Sequence, residues 1–250
     1  MIHSFLLIGQ SNMAGRGYID EAESIDTRRI KILRNGRWLN MFRPINPDRS
    51  FSGVNLAESF AEKYAQVYNV DVGLICCADG GTALDQWTKG SLLYDNAVYQ
   101  SKLAQRTSEI KGILWHQGEA DCDVSLYTTY EKRFVKFMND LRDDLGLYDV
   151  PFMLGGLGDF LVSCPLDEKL KNAPLLNEVL KTIAEKNPMI GFVSAEGLGS
   201  NPDSLHFDAK SLYKFGLRYF DEFEKYADRS VVEVSDTKES IKTMTEMELL

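Results

Sequence analysis

The chain has 250 residues, which is enough for one large α/β domain or two small ones. With 44% hydrophobic and 26% charged residues, its composition is that of an ordinary globular protein and excludes a collagen-like or charge-rich disordered chain. The formal net charge of −9 argues against a nucleic-acid partner, because binding to nucleic acid usually needs a basic face.

Five nearly continuous apolar runs predict strands that are buried on both faces. In chain order they are residues 3–8, 72–78, 110–116, 150–154 and 190–195. Apolar residues spaced three or four apart predict helices between and after these strands. The helices are residues 56–68, 92–108, 126–144, 174–186 and 209–226. This alternation predicts an α/β fold, with a doubly wound parallel sheet of about five strands between two layers of helices.

Two stretches do not fit this alternation. Residues 19–53 have no clear period and carry several arginines and two prolines, which is typical of a long surface loop or lid. The chain after residue 229 is polar and lacks aromatic residues, so we expect a C-terminal extension over 229–250. The predicted domain organisation is therefore a single domain over residues 1–228.

The sequence also carries an expectation about the compartment. No apolar run approaches the roughly 20 residues of a membrane span, and no leader pattern precedes the first predicted strand. The four cysteines lack the spacing of a metal site, and Cys76 and Cys77 are adjacent within an apolar run, as buried thiols are. We therefore expect a cytoplasmic protein without a membrane partner.

Polar residues follow four of the predicted strands where each strand ends. The segments are GQSN at 9–12, DGGT at 79–82, QGEAD at 117–121 and, after a glycine-rich turn, NPDSLH at 201–206. Because the carboxyl ends of parallel strands lie at one edge of a sheet, these segments are expected to converge there, where ligands bind. Each segment alone is common in ordinary turns, so the convergence carries the prediction.

Ser11 and His206 are the predicted nucleophile and base. A serine hydroxyl needs an adjacent base to attack at neutral pH, and histidine is the usual one. His3 begins a strand at the wrong edge, and His116 ends a strand, where a packed residue is more typical. Asp203 lies three residues before His206, close enough to accept its Nδ1–H and turn Nε2 outward. The predicted triad is therefore Ser11, His206 and Asp203.

Acyl transfer also needs hydrogen-bond donors for the oxyanion. The sequence offers the Ser11 N–H, the Gly80 N–H and the side-chain amide of Gln117. An ionised Glu119 cannot donate, so we expect it to tie loops together through hydrogen bonds. Trp87, just after the two glycines, is expected either to pack in the core or to line a sugar site.

A metal site is an alternative interpretation of the third segment. His116, Glu119, Asp121 and Asp123 are close in sequence and carry ligand types that metals accept. No second histidine accompanies them, and we therefore predict neither a metal nor any other cofactor.

Four motifs together resemble the SGNH (GDSL-like) hydrolase superfamily. They are GQSNMAGRG, GGTALDQW, WHQGEAD and DSLHFD, and the resemblance extends from about residue 2 to residue 220. Within the superfamily they resemble the sialate O-acetylesterase-type domain, close to carbohydrate esterase family 6 and related to acetylxylan esterases. The resemblance implies a three-layer α/β/α, flavodoxin-like fold and a serine esterase that needs no cofactor and removes acetyl groups from sugars such as acetylated xylan or sialic acids.

The resemblance also assigns site residues. It implies Ser11 as the nucleophile and Asp203 and His206 as its partners. Either Gly80 or Gly81 matches the oxyanion glycine, with a slight preference for Gly80. Gln117 stands where the superfamily usually has asparagine. The remaining positions expected to support the loops or the substrate are Gln10, Asn12, Glu119 and Trp87.

Two other functions use the same residues. A lipase or thioesterase of the superfamily would have the same triad and a longer acyl pocket. A non-catalytic carbohydrate-binding protein would use Trp87 and Tyr94 as stacking platforms. The expected partner is an acetylated carbohydrate, and the sequence leaves the oligomeric state open.

Overall fold

A seven-stranded sheet forms the centre of the computed structural model, which describes residues 1–227. The strands are β1 (Ile2–Gly9), β2 (Ile30–Arg34), β3 (Arg37–Asn40), β4 (Val72–Cys76), β5 (Ser108–His116), β6 (Phe152–Gly155) and β7 (Ile190–Val193). Their order across the sheet is β3-β2-β4-β1-β5-β6-β7. All neighbours are parallel except β2 and β3, which are antiparallel.

Helices cover both faces of the sheet. They are α1 (Ser11–Ala14), α2 (Leu56–Tyr68), α3 (Leu92–Ala104), α4 (Val124–Leu145), α5 (Ala173–Lys186) and α6 (Ala209–Phe223). One apolar core lies between the sheet and α3, α4 and α5, and the other between the sheet and α2 and α6. The predicted α/β class with helices on both faces is confirmed. The predicted extension over 229–250 lies outside the described residues.

The central strand β1 shows why its sequence is a continuous apolar run. Phe5 and Leu7 face α2 and α6, whereas Leu6 and Ile8 face the opposite core, since successive side chains of a strand point to opposite faces. All four side chains are completely buried. A strand that is covered on both faces does not alternate between apolar and polar residues.

The two additional strands come from residues 19–53, so the prediction of a long loop or lid was wrong for this part. Strands β2 and β3 form a hairpin at one edge of the sheet. The side chains of Ile30 and Ile32 in β2 are fully buried. The turn residues Asn35 and Gly36 have φ angles of 50° and 72°. Asn-Gly is the pair that the common two-residue hairpin turn favours, so a sequence signal for this hairpin was present.

Helices α2 and α6 pack very closely. A Cβ atom on Gly216 of α6 would lie 2.0 Å from the Leu56 carbonyl oxygen of α2, so a side chain there would collide with backbone. The Ser59 hydroxyl donates a hydrogen bond to the Tyr213 carbonyl at 2.7 Å across the same contact. The two helices therefore meet backbone to backbone.

The start of α2 is fixed to the first loop of the sheet. The N-cap residue Asn55 accepts a hydrogen bond from the Ala57 N–H at 2.8 Å, which satisfies one free donor of the first turn. Its side-chain nitrogen donates to the carbonyls of Met13 and Ala14. One asparagine thus caps α2 and joins it to the turn that carries Ser11.

Candidate active site

Gly9 ends β1 in a conformation that only glycine can adopt here. Its φ is +129°, and a Cβ atom would lie 2.1 Å from the His116 carbonyl oxygen of the neighbouring strand. The Gln10 N–H donates to that same oxygen at 2.9 Å. Ser11 follows as the first residue of α1, with 8% of its surface exposed. A tight strand-to-helix turn therefore presents the Ser11 side chain at the carboxyl edge of the sheet.

The structure brings the three predicted triad residues together. His206 Nε2 lies 3.0 Å from Ser11 Oγ, and His206 Nδ1 lies 2.7 Å from Asp203 Oδ2. Both distances are within hydrogen-bond range. Ser11 and His206 are 195 residues apart in the chain. The arrangement is one that can move a proton from a hydroxyl to an imidazole.

Asp203 is held in the ionised form. Burial alone would raise the pKa of this carboxyl group, but the N–H groups of His206 and Leu205 and the imidazole lower it overall. The two N–H groups donate to Asp203 Oδ1 at 3.0 and 2.9 Å. One oxygen therefore closes the turn, and the other remains directed at the imidazole, where a negative charge stabilises the imidazolium.

Asn12 fixes the backbone on both sides of His206. Its Oδ1 accepts the Phe207 N–H at 3.1 Å, and its Nδ2 donates to the Leu205 carbonyl at 3.2 Å. The same nitrogen donates to Glu119 Oε1 at 2.5 Å. Asn12 and Glu119 thus join these loops, and Asn12 does so around the imidazole itself.

Gln10 supports the third loop. Its Oε1 lies 3.3 Å from each of two backbone nitrogens, those of Gly118 and Ala120, which donate to it. Gln10 is nearly fully buried, so this oxygen faces protein and not solvent. The loops after β1 and β5 are joined through this side chain.

The side-chain amide of Gln117 is not free to donate to an oxyanion, contrary to the sequence prediction. Its Nε2 donates to Asp121 Oδ2 at 2.7 Å and to the Thr82 carbonyl at 3.1 Å, which uses both N–H groups. Its Oε1 accepts the Tyr130 hydroxyl at 2.8 Å, and the residue is fully buried. Gln117 joins three loops and cannot donate to an oxyanion in this arrangement.

Asp121 is a structural residue that sequence reasoning placed only in the metal alternative. Its Oδ2 also accepts the Leu84 N–H at 2.8 Å, and its Oδ1 pairs with Arg133 at 2.8 Å. The side chain is completely buried, and Arg133 balances its charge. The sequence shows that Asp121 and Gln117 are four residues apart, but it does not show the direction in which the Gln117 amide points.

The preference for Gly80 as an oxyanion donor was also wrong. The Gly80 N–H donates to Asp48 Oδ2 at 2.8 Å and therefore already has an acceptor. Across residues 1–227, no hydrogen bond of the structure uses the Gly81 N–H or the Ser11 N–H. The Ser11 and Gly81 N–H groups are therefore among the backbone donors that remain at the site.

Asp48, from the segment that the sequence assigned to a loop or lid, lies beside the nucleophile turn. Arg16 donates to its two carboxylate oxygens at 3.0 and 2.7 Å, and the Ser52 hydroxyl donates to it at 2.7 Å. The side chains of Arg16 and Asp48 are 4% and 3% exposed. Burial alone would raise the pKa of Asp48, but Arg16, Ser52 and the Gly80 N–H lower it overall.

Trp87 does not line a sugar site. The side chain is fully buried, its Nε1 donates to Thr82 Oγ1 at 3.1 Å, and its ring packs edge-on against Trp115. It supports the loop of Gly80 from below. Tyr94 is also buried, with its hydroxyl donating to Asp144 at 2.6 Å, so neither aromatic is available as a stacking platform.

The other two histidines lie away from the proton-transfer chain. His116 is fully buried between Phe207 and Phe215, its Nε2 is 3.2 Å from the Gly156 carbonyl, and burial lowers its pKa. His3 contacts the Tyr64 hydroxyl at the opposite edge of the sheet.

Within residues 1–227, no group of three or more His, Cys, Asp or Glu side chains is arranged to hold a metal ion. None of the helices described there has the length and apolar character needed to cross a bilayer.

Residues 1–225 match the family described as carbohydrate esterase, sialic acid-specific acetylesterase. The chain belongs to this family. It is therefore a carboxylic ester hydrolase of the carbohydrate esterase type, and the fold is that of the SGNH hydrolases, both as the sequence predicted.

Individual relatives agree with this family. A probable carbohydrate esterase of Arabidopsis thaliana is 28% identical over 242 residues, which cover 85% of this chain and 86% of the relative. The crystal structure of an Arabidopsis thaliana protein has a TM-score of 0.77 at 25% identity, covering 89% of this chain and 98% of the other.

Two further solved structures share the fold. The crystal structure of NanS gives a TM-score of 0.69 at 18% identity, with 90% of this chain and 97% of the other covered. That of a carbohydrate acetylesterase from Xanthomonas citri gives 0.65 at 18% identity, with 87% and 54% covered.

Proposed function

We propose that this esterase removes O-acetyl groups from carbohydrate hydroxyls by way of an acetyl-serine intermediate. The observation that carries the proposal is the continuous chain from Ser11 Oγ through His206 to Asp203, with distances of 3.0 and 2.7 Å. A hydroxyl, an imidazole and an ionised carboxylate in this order supply nucleophile, base and orienting group.

In the first step, His206 Nε2 takes the proton of Ser11 Oγ while that oxygen attacks the ester carbonyl. The negative charge that develops on the carbonyl oxygen is stabilised by backbone N–H groups at the edge of the sheet, beginning with that of Ser11. The bond to the sugar oxygen then breaks. His206 returns the proton to that oxygen, so the sugar leaves as an alcohol and the acetyl group stays on Ser11.

In the second step, water takes the place of the sugar hydroxyl. His206 removes a proton from the water, and the hydroxide attacks the acetyl carbon. Collapse of the second tetrahedral intermediate releases acetate, and the proton returns to Ser11 Oγ. Asp203 stabilises the imidazolium in both steps.

The acetylated carbohydrate follows from the family and its relatives rather than from a sugar pocket. The candidate substrates are sialic acids, after the family description, and acetylated oligosaccharides of the xylan type. Acetyl is the acyl group expected from the same description.

The test is a comparison of wild-type enzyme, Ser11→Ala and Ser24→Ala. Ser24 is an exposed serine outside the site and provides the matched control. We expect Ser11→Ala to lower kcat for p-nitrophenyl acetate by about 10⁴-fold or more and to abolish labelling by a fluorophosphonate, while Ser24→Ala changes neither. Retained turnover in Ser11→Ala would remove Ser11 from the mechanism.

The substrate is tested with a panel of esters. Acetate release from acetylated xylo-oligosaccharides and O-acetylated sialic acids should exceed hydrolysis of a matched octanoyl ester. A preference for the octanoyl ester would instead identify a lipase-type enzyme. Sugar binding without fluorophosphonate labelling would identify a non-catalytic binding protein.

A further inference from the structure

A cleft opens at the carboxyl edge of the sheet, between the ends of β2 and β4. The pairing of these two strands ends at Ile32 and Leu74. Strand β2 nevertheless continues to Arg34, and β4 continues to Cys76. Because the strands part beyond their last pair, they leave a cleft of about 310 Å³ that α3 borders on one side. This volume is within the range of small-molecule sites, which is about 300–1,000 Å³.

One wall of this cleft is shared with the catalytic site. Asp48 and Asp79 line the cleft, and the Asp48 carboxylate accepts the Gly80 N–H at 2.8 Å. A Cβ atom on Gly80 would lie 3.0 Å from Asp48 Oδ2 and 3.5 Å from Ser11 Cβ, so these two atoms are no more than about 6.5 Å apart. This distance is comparable to the length of one sugar unit. A ligand in the cleft and an ester at Ser11 can therefore belong to one extended substrate.

The shared wall is fixed by contacts within the protein. Asn46 is nearly fully buried, donates to the Ala78 carbonyl at 2.9 Å and accepts the Ala78 N–H at 3.1 Å. Arg16 donates to both carboxylate oxygens of Asp48. A site that is ordered before its ligand arrives loses less conformational entropy on binding.

Three side chains that line the cleft have unused hydrogen-bonding groups. Arg34 and Gln100 are half-buried, and Asn35 is exposed at the turn of the β2–β3 hairpin. Within residues 1–227, no hydrogen bond or ion pair of the structure uses these three side chains. The Phe42 ring contacts the Arg34 guanidinium at 5.4 Å, which leaves its N–H groups available. The cleft thus offers two amides and one guanidinium to a ligand.

This set of groups matches the hydroxyl groups of a sugar. An amide side chain both donates and accepts hydrogen bonds, as a hydroxyl does, and a guanidinium donates from two parallel N–H groups to two adjacent hydroxyls. The partly buried side chains of Leu33 and Leu93 line the same cleft and offer apolar surface to the C–H face of a sugar ring. An acyl chain in the cleft would leave its polar groups unpaired, which costs free energy.

We propose that this cleft binds sugar units of an acetylated oligosaccharide beyond the unit that carries the scissile acetyl group, and that Arg34, Asn35 and Gln100 are its hydrogen-bonding residues. The proposal rests on the serine esterase function proposed above. It selects an oligosaccharide, rather than a free monosaccharide, from the candidate substrates.

The experiment compares Arg34→Ala, Asn35→Gly and Gln100→Ala with Gln66→Ala, in which an exposed glutamine on α2 outside the cleft is removed as a control. Glycine is chosen at residue 35 because Asn35 has a φ of 50°, which glycine adopts without strain. kcat and KM are measured with acetylated xylotetraose, acetylated xylose and p-nitrophenyl acetate. Thermal melts show that each variant is folded.

The wild-type KM should be lower for acetylated xylotetraose than for acetylated xylose, since only the longer substrate reaches the cleft. We expect Arg34→Ala and Gln100→Ala each to raise the KM for acetylated xylotetraose by about three- to tenfold with kcat changed by less than about twofold, because the lost hydrogen bonds are made equally in the ground state and the transition state. Asn35→Gly should act in the same direction and more weakly. The KM for the two shorter substrates should not change, and Gln66→Ala should behave as wild type.

Three results would overturn the proposal. The first is a wild-type enzyme that hydrolyses p-nitrophenyl acetate but has no lower KM for acetylated xylotetraose than for acetylated xylose, or does not turn over acetylated xylotetraose at all. The second is a wild-type KM for acetylated xylotetraose in Arg34→Ala and Gln100→Ala. The third is an equally large rise in the KM for p-nitrophenyl acetate, since this ester does not reach the cleft. Failure of the proposed serine mechanism has a different signature, because Ser11→Ala would then remain active with p-nitrophenyl acetate.

Discussion

Ser11 is held from two sides by different chemistry. On the side of β5, which we call the amide side, the amides of Gln10, Asn12 and Gln117 bind backbone groups and the buried carboxylates of Glu119 and Asp121. On the other side, which we call the ionic side, the pairs Arg16–Asp48 and Arg49–Asp79 hold the loop of Gly80.

The two sides differ in how far they depend on the ionisation of side chains. A neutral amide keeps the same donors and acceptors at every pH, so the bonds from Asn12 to the backbone on either side of His206 involve no ionisable group. The ionic side exists only while its carboxylates are charged, and it reaches the surface at Arg49.

The largest effect is expected on the amide side, from Asn12→Ala. The variant removes the bonds to Leu205 and Phe207 on either side of His206 and leaves the buried Glu119 carboxylate without its donor. We expect kcat to fall by about 10²-fold with KM little changed, because the imidazole loses its position rather than its chemistry. The free energy of unfolding should fall by about 1–3 kcal/mol.

Steady-state kinetics and urea unfolding measure the two effects of Asn12→Ala. Asn96→Ala provides the matched control, since Asn96 is an exposed asparagine on α3. If kcat is unchanged in Asn12→Ala, the position of His206 does not depend on the amide side.

An intermediate effect is expected on the ionic side, as a dependence of stability on pH. The folded-state pKa of Asp48 is lowered below its ordinary value of 3.8, since Arg16, Ser52 and the Gly80 N–H together outweigh the raising effect of burial. Its contribution to stability is therefore fully present above pH 3.8 and is lost as the pH falls through the lower, folded-state pKa.

This dependence is measured as the difference in Tm between wild type and Asp48→Asn from pH 7 to pH 2.5. The difference should stay constant down to about the ordinary carboxyl pKa and shrink below it, because a protonated Asp48 resembles asparagine. A difference that persists unchanged to the lowest pH would show that the charge of Asp48 does not stabilise the fold.

The smallest effect is expected from Trp87→Phe, below both sides. The variant loses the hydrogen bond to Thr82 and some packing against Trp115, so the free energy of unfolding should fall by about 1–2 kcal/mol. KM for an acetylated oligosaccharide should not change. A clear rise in this KM, relative to that for p-nitrophenyl acetate, would show that Trp87 contributes to sugar binding.

The sequence predicts those residues of the site that lie close to a strand end or close to one another in the chain. Ser11 follows β1 directly, and Asp203 and His206 are three residues apart in one loop. Knowing that parallel strands end at one edge is sufficient to bring these residues together.

The part that could not be read depends on side-chain direction and on long-range pairing. Asp48 and Arg16 are 32 residues apart, and the segment between them has no period that predicts their contact. Gln117 was expected to donate to substrate, but Asp121 and Thr82 determine where its amide points. The sequence left open whether Trp87 packs in the core or lines a sugar site, because its burial depends on α3 and α4, which come later in the chain.

The contact between α2 and α6 has a consequence for turnover. The cap of α2 is bonded to the turn of Ser11, and α6 begins three residues after His206. Because Gly216 allows the two helix backbones to touch, the segments that carry the hydroxyl and the imidazole are joined through this contact as well as through Asn12. A single methyl group added at residue 216 would push against α2, and we therefore expect it to slow turnover although every reacting group stays chemically intact.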